Sequence, residues 1–145
     1  MIPVDALTRF FEEEIPFNRV LGIRVDKIGS GWCVLRAQGR VEFTGNPRLP
    51  AMHGGVISSL ADSAGGLAVF SQLELGQNCS TVDLRVDYLR RALPTEDLIC
   101  ESRVVRAGNR VVVTDSTLRQ GERIVATARA VYNVVPHAIH ESLAE

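Results

Sequence analysis

The spacing of apolar and polar residues along the first third of the chain predicts a short helix and two strands. Residues 4–14 place apolar side chains at helical spacing, and Pro16 ends that run. Two segments with strand character follow at 21–28 and 31–43, separated by a Gly-Ser-Gly turn. Residues 44–52 hold two prolines and a Gly-Asn pair, so they are predicted to form a loop.

Residues 53–70 are predicted to form one long helix. Apolar side chains recur at helical spacing, and small residues fill much of the remaining surface. A helix that is apolar on nearly all sides is usually buried. Asp62 is the one charged residue of this segment, which makes it the most unusual side chain in the pattern.

The second half of the chain changes to strand character. Residues 79–89 alternate in part, and three further segments are rich in valine, isoleucine and threonine. Gly108-Asn109 and Gln120-Gly121 mark hairpin turns, which predicts an antiparallel meander. The tail after Pro136 is polar and is expected to fray. The three strands of the meander are predicted at 97–106, 110–119 and 123–135.

This order of elements favours an α+β fold, with residues 1–145 as a single domain. The long helix can bury all its faces only if a strongly curved antiparallel sheet wraps around it. An exposed edge of such a sheet needs a cover, and a second copy of the chain is the simplest candidate.

Composition excludes several classes of function. The net charge of -1 gives no indication of nucleic-acid binding, and no apolar run is long enough to span a membrane. The N-terminus is acidic and lacks the pattern of a signal peptide. Three widely spaced cysteines form no CxxC pair, which indicates free thiols in a reducing cytoplasm rather than disulfides or zinc.

The segment around the start of the long helix resembles a known family. His53-Gly54-Gly55 followed by Asp62 is similar to the HGG-x(6)-D signature of the phenylacetic-acid-degradation (PaaI-type) thioesterases, which have the hotdog fold. The strand that begins near Thr81 also resembles the family's strand after the helix. The resemblance implies hydrolysis of an acyl-CoA, homodimers or homotetramers with active sites at the subunit interface, and no metal or organic cofactor.

Asp62 and Gly54 are the central catalytic candidates. A carboxylate on an apolar helix is costly unless it has partners or a function. Asp62 is therefore predicted to act as a general base on water or as a direct nucleophile, and these two roles stay open. The free N–H of Gly54 at a helix N-terminus could stabilise the negative charge that develops on a thioester oxygen.

Three more residues are assigned to the catalytic site through the resemblance. His53 could cap the helix, line the thioester pocket, or hydrogen-bond the thioester carbonyl or the thiolate, and Thr81 would help to hold the attacking water. Asn46 is the candidate for the family's asparagine, although its spacing to His53 is one residue longer than usual. Asn46 could instead be a turn residue, and Thr81 a plain strand residue.

Six residues are predicted to bind substrate. Gly55 would allow close approach of the ligand, and Leu60 would line the acyl pocket. At least one of four arginines would contact the CoA phosphates, because guanidinium groups favour phosphate, although each arginine taken singly also fits a solvated charge at a strand edge. The arginines are Arg90, Arg91, Arg106 and Arg110. His137 and His140 are expected at the surface, and no histidine or acid spacing predicts a metal site.

Other functions fit the sequence less well. An acyl-CoA or acyl-carrier binding module would have no need for a charge at Asp62. A dehydratase acting on 3-hydroxyacyl thioesters would need a different acid–histidine arrangement, and a purely structural oligomer would leave the glycines and Asp62 unexplained. A serine hydrolase is excluded because no Gly-x-Ser-x-Gly motif is present.

Overall fold

The computed structural model describes residues 1–135, so the predictions for His137, His140 and the tail lie outside the described residues. Its helices are α1 (Val4–Arg9), α2 (Pro16–Leu21) and α3 (Gly54–Phe70). Its strands are β1 (Ile23–Gly29), β2 (Trp32–Ala37), β3 (Thr44–Asn46), β4 (Ala51–Met52), β5 (Asn78–Tyr88), β6 (Leu98–Ala107), β7 (Val111–Gln120) and β8 (Arg123–Val135).

The N-terminal region contains a helix that was not predicted, and the strand predicted at 21–28 begins after it, at Ile23. The helical run ends as expected before Pro16, with a π-helical turn over Phe10–Glu14 after α1. The additional helix α2 begins at Pro16 itself. The N–H at the first position of a helix has no acceptor within the helix, so proline, which lacks this group, is tolerated there. Pro16 therefore ends one helical run and begins the next.

The strand predicted at 31–43 is shorter in the structure, where β2 spans Trp32–Ala37. β2 ends at Ala37, because the chain then turns so that Gly39 lies directly against the backbone of Thr95 and Arg40 donates a hydrogen bond to the Pro94 carbonyl. A short 3-10 turn follows at Val41–Phe43.

The predicted loop 44–52 was also incomplete. It contains the short antiparallel pair β3–β4, in which Thr44 lies opposite Met52. This pair brings the chain back to the start of α3, where the His53 N–H donates to the Phe43 carbonyl.

Six strands form one antiparallel sheet in the order β1-β2-β6-β7-β8-β5. The predicted meander β6-β7-β8 is confirmed. β1 pairs with the next strand, β2, in a hairpin. Two pairings join segments that are distant in sequence: β2 pairs with β6, and β5 pairs with β8. β1 and β5 are therefore the two edges of this sheet.

The sheet curves around α3, which is buried as predicted. Ala61, Ala64 and Ala68 are almost fully enclosed and allow the helix to lie close to the strands. The larger side chains of the helix fill the remaining core volume, as close packing requires. This packing presents the N-terminus of α3 and the side chain of Asp62 toward strand β5, the edge of the sheet.

Candidate active site

Asp62 contacts the edge strand through its side chain. The Thr81 hydroxyl donates a 2.7 Å hydrogen bond to Asp62 Oδ1, and the Asp62 residue is only partly buried. Because Oδ2 has no recorded partner within residues 1–135, one carboxylate oxygen stays available for a water molecule. The resemblance assigned Thr81 to the neighbourhood of Asp62, and the two side chains are in contact in the structure.

A bulge in β5 aims Thr81 at the helix. Thr81 lies opposite Tyr132 and Asp83 opposite Val131, so Val82 is an extra residue, 65% exposed. Side chains alternate between the two faces of a strand, and one inserted residue reverses the alternation. Without the bulge, the face that carries Leu84 would present Val82 to Asp62 in place of Thr81.

The first two N–H groups of α3 differ in what they bind. The Gly55 N–H donates to Nδ1 of His53 at 2.8 Å, which makes His53 the cap of the helix. Within the described part of the chain, the Gly54 N–H donates to no acceptor. The free Gly54 N–H is the donor that the sequence predicted to stabilise an oxyanion. The Gly55 N–H is not free, because it is bound to His53.

Tyr88 is a site residue that the sequence analysis missed. Its hydroxyl donates a 3.1 Å hydrogen bond to the Gly54 carbonyl, and its side chain is 55% exposed. A Cβ on Gly54 would lie 3.3 Å from the Tyr88 ring. The sequence did not predict this contact, because it joins residues that are 34 positions apart in the chain.

Gly54 and Asp62 lie too far apart to serve one thioester within a single chain. Eight residues of helix separate them, which corresponds to roughly 12 Å at the usual helical rise. Each lies beside a different end of β5, Gly54 near Tyr88 and Asp62 near Thr81.

Two of the predicted site residues are found in other roles in this chain. The Asn46 side chain accepts a 2.9 Å hydrogen bond from the Arg48 N–H and is exposed, which is the turn role considered as the alternative. Leu60 is 0% exposed inside the core. It therefore lines no open surface of the chain, and its first task is packing.

The four arginines fall into two separate pairs. Arg106 and Arg110 line one shallow depression beside the β6–β7 turn. Arg90 follows β5, where its guanidinium donates to the Ile124 carbonyl, and Arg91 is its neighbour. The Arg110 backbone carbonyl accepts from the Val134 N–H, whereas Arg90 contacts Ile124. Val134 and Ile124 lie ten residues apart on β8, so the two arginine pairs are roughly 33 Å apart at the usual strand rise.

Cys79 lies close to Asp62 but is not a thiolate. Burial raises the pKa of the Cys79 thiol to about 12, and the nearby Asp62 carboxylate adds to this effect. The thiol is therefore protonated at neutral pH and is a poor nucleophile. Cys33 and Cys100 are free and buried, as the sequence predicted.

Residues 1–135 contain no group of three or more histidine, cysteine or acidic side chains placed to hold a metal ion. None of the helices in the same residues has the length and apolar character needed to cross a membrane.

Comparison with known proteins gives a consistent set of similarities. The family model described as "Thioesterase superfamily" matches residues 49–131. The medium/long-chain acyl-CoA thioesterase YigI of Escherichia coli K12 is 36% identical over 138 residues, covering 86% of this chain and 88% of that protein.

Two solved structures share the fold. A thioesterase of Haemophilus influenzae superposes with a TM-score of 0.83 at 20% identity, covering 97% of this chain and 96% of that one. The PaaI protein of the E. coli phenylacetic acid degradation operon superposes with a TM-score of 0.79 at 24% identity, covering 87% and 88%.

Proposed function

The chain belongs to the thioesterase superfamily, and from that premise we propose that it hydrolyses medium- or long-chain acyl-CoA to the free acid and CoA. The predicted hotdog fold and enzyme class, a thioester hydrolase, are confirmed at the level of this superfamily. The acyl class is inferred from the name of the E. coli relative. The narrower PaaI-type assignment stays a prediction.

One observation carries the proposal: the chain has both a carboxylate and a free backbone donor beside the edge strand. The Asp62 carboxylate is bound by Thr81 there, and the Gly54 N–H is unpaired within residues 1–135. Asp62 accepts a proton from water as the water oxygen bonds to the thioester carbon. The carbonyl oxygen becomes negative and is stabilised by the Gly54 N–H and the partial positive charge of the helix N-terminus. The C–S bond then breaks, and CoA leaves as a thiolate that takes up a proton.

We propose that each active site is built from two copies of the chain. The separation of about 12 Å between Gly54 and Asp62 along one helix prevents them from acting on the same carbonyl. An antiparallel pairing of two β5 strands would place the Gly54 end of one copy opposite the Asp62 end of the other. A closed dimer of this kind has two identical sites.

The charges on β5 support this pairing. Asp83, Arg85 and Asp87 alternate along the outer face of the strand. A two-fold axis at Leu84 places Asp83 opposite Arg85 of the second copy, twice, whereas an axis at Arg85 would place like charges together. Opposite charges across a strand pair stabilise it and like charges destabilise it.

The same dimer explains the divided arginines. Arg110 lies at the Asp62 end of β5, and Arg90 lies at the Gly54 end. In an antiparallel dimer these two ends meet, so one arginine pair from each copy flanks every site. We propose that the CoA phosphates bind there, among exposed side chains suited to phosphate.

Reversal of one charge tests the interface. Arg85→Glu would leave an acidic side chain opposite Asp83 at two places, so we expect the dimer to dissociate at lower protein concentration than the unmodified protein. Specific activity should then fall on dilution. Sedimentation velocity and thiol release over a dilution series measure both effects.

Arg24→Glu is the matched control, because Arg24 is an exposed arginine on the opposite edge strand β1 and pairs with Glu12. It makes the same charge change away from β5. An Arg85→Glu variant that keeps the wild-type dimer and activity at every concentration would rule out the β5 interface.

A substrate panel tests the activity itself. We expect thiol release from acyl-CoAs of about eight carbons or more, with a lower KM than for acetyl-CoA, since each buried CH₂ group contributes roughly 0.8 kcal/mol. Release from none of them, with CoA esters still bound in calorimetry, would replace the hydrolase with an acyl-CoA binding module. Faster hydrolysis of short acyl groups would overturn the acyl class alone.

A further inference from the structure

We propose that Tyr132 is a positioning residue for Asp62, acting through the backbone of α3, and that Gly65 provides the space for it. This inference rests on the proposed function of Asp62. Tyr132 lies on β8, is 2% exposed, and cannot reach a substrate from its place in the core.

The contact joins Tyr132 to the main chain of the proposed catalytic residue. The Tyr132 hydroxyl donates a 2.8 Å hydrogen bond to the backbone carbonyl of Asp62. That carbonyl lies within α3, where helical carbonyls already accept an intrahelical bond. The tyrosine thus adds a second bond that links this turn of the helix to the sheet.

Gly65 makes this contact possible. A Cβ at Gly65 would overlap the Tyr132 hydroxyl and would lie 2.8 Å from Oγ1 of Thr114. The next residue is also glycine, and two adjacent glycines weaken a helix interior. The two glycines therefore lower the intrinsic stability of α3 at the position where the Tyr132 phenol packs against it.

Tyr132 and Thr81 hold Asp62 from a single position in the sheet. They are directly paired across β5 and β8. Thr81 binds the carboxylate, and Tyr132 binds the carbonyl of the same residue. Because both contacts start from one rigid strand pair, they fix where the carboxylate lies relative to the edge at which a substrate would bind.

The phenol is suited to a permanent donor role. Burial raises the pKa of Tyr132 far above its usual value, and the nearby Asp62 carboxylate raises it further. Tyr132 therefore stays protonated across the neutral range, so the bond to Asp62 does not change with pH there.

Tyr132→Phe tests the proposal, because it removes the hydroxyl and keeps the ring that fills the core. We expect kcat on the best acyl-CoA to fall roughly tenfold with KM within about twofold, since a small misplacement of a catalytic group slows the chemical step more than binding. Thr81→Val should also lower kcat. The double variant should lose clearly less than the product of the two single losses, because both contacts act through Asp62.

Ser116→Ala is the matched control for stability. It removes another buried hydroxyl, which donates a 3.0 Å hydrogen bond to Ser102 and does not touch Asp62. We expect it to lower the melting temperature about as much as Tyr132→Phe while kcat stays unchanged.

A Tyr132→Phe enzyme with wild-type kcat, or losses that simply multiply in the double variant, would overturn the positioning role. Equal losses of kcat in Ser116→Ala would do so as well, because the effect would then come from general stability. If the wild-type protein releases no thiol from any acyl-CoA, it is the proposed function that fails, and that outcome is distinct from the three above.

Discussion

Asp62→Asn is expected to reduce the rate of thioester hydrolysis by at least about 100-fold, the scale of general acid–base contributions. The amide cannot accept a proton from water and cannot attack a carbonyl as a carboxylate does. Its oxygen can still accept the hydrogen bond from Thr81, so the loss would come from the chemistry rather than from the fold. Steady-state thiol release from the preferred acyl-CoA measures it.

Asp26→Asn is a suitable control, because Asp26 is an exposed carboxylate on β1 that pairs with Arg36. It neutralises the same kind of group at the edge remote from β5, and we expect wild-type rates. Hydrolysis by Asp62→Asn at the wild-type rate would keep the protein among thioesterases but remove Asp62 from the reaction.

Gly54→Pro is expected to lower kcat by about 100- to 1,000-fold, the usual cost of losing one oxyanion donor. Proline is well tolerated at the first position of a helix, where it removes only the N–H. The preceding residue must then be extended, and His53 already has φ -61° and ψ 129°. The substitution therefore deletes the proposed donor with little change to the backbone.

Gly54→Ala separates the N–H from the added bulk. It introduces a Cβ at the same place, 3.3 Å from the half-exposed Tyr88 ring, and keeps the donor. We expect it to retain most of the activity that Gly54→Pro loses. Equal losses in the two variants would show that space beside Tyr88, and not the N–H, limits the reaction.

The two inactive variants together test the shared site. When Asp62→Asn and Gly54→Pro chains are mixed and allowed to exchange, half of the dimers are mixed, and each of these has one site with both groups intact. Activity should therefore return to about a quarter of the wild-type value, as the symmetry of a two-site dimer requires. A mixture as inactive as its components would contradict a site built from two chains.

The sequence by itself predicted the long buried helix, the antiparallel meander and the candidate catalytic residues. Helical periodicity with small residues identified α3 as the buried helix, and Asp62 was recognisable because it is the one charged residue on an otherwise apolar helix. The three strands of the meander followed from alternation and hairpin turns. These features are local, so a window of neighbouring residues contains the information.

Only the tertiary structure decided which of these residues meet. The bulge at Val82 turns Thr81 toward Asp62, and the pairing of β5 with β8 brings Tyr132 to the same helical turn. Strand register joins segments tens of residues apart, and no local pattern records it. For the same reason the structure, and not the sequence, showed that the arginines lie in two groups and that Leu60 lies within the core.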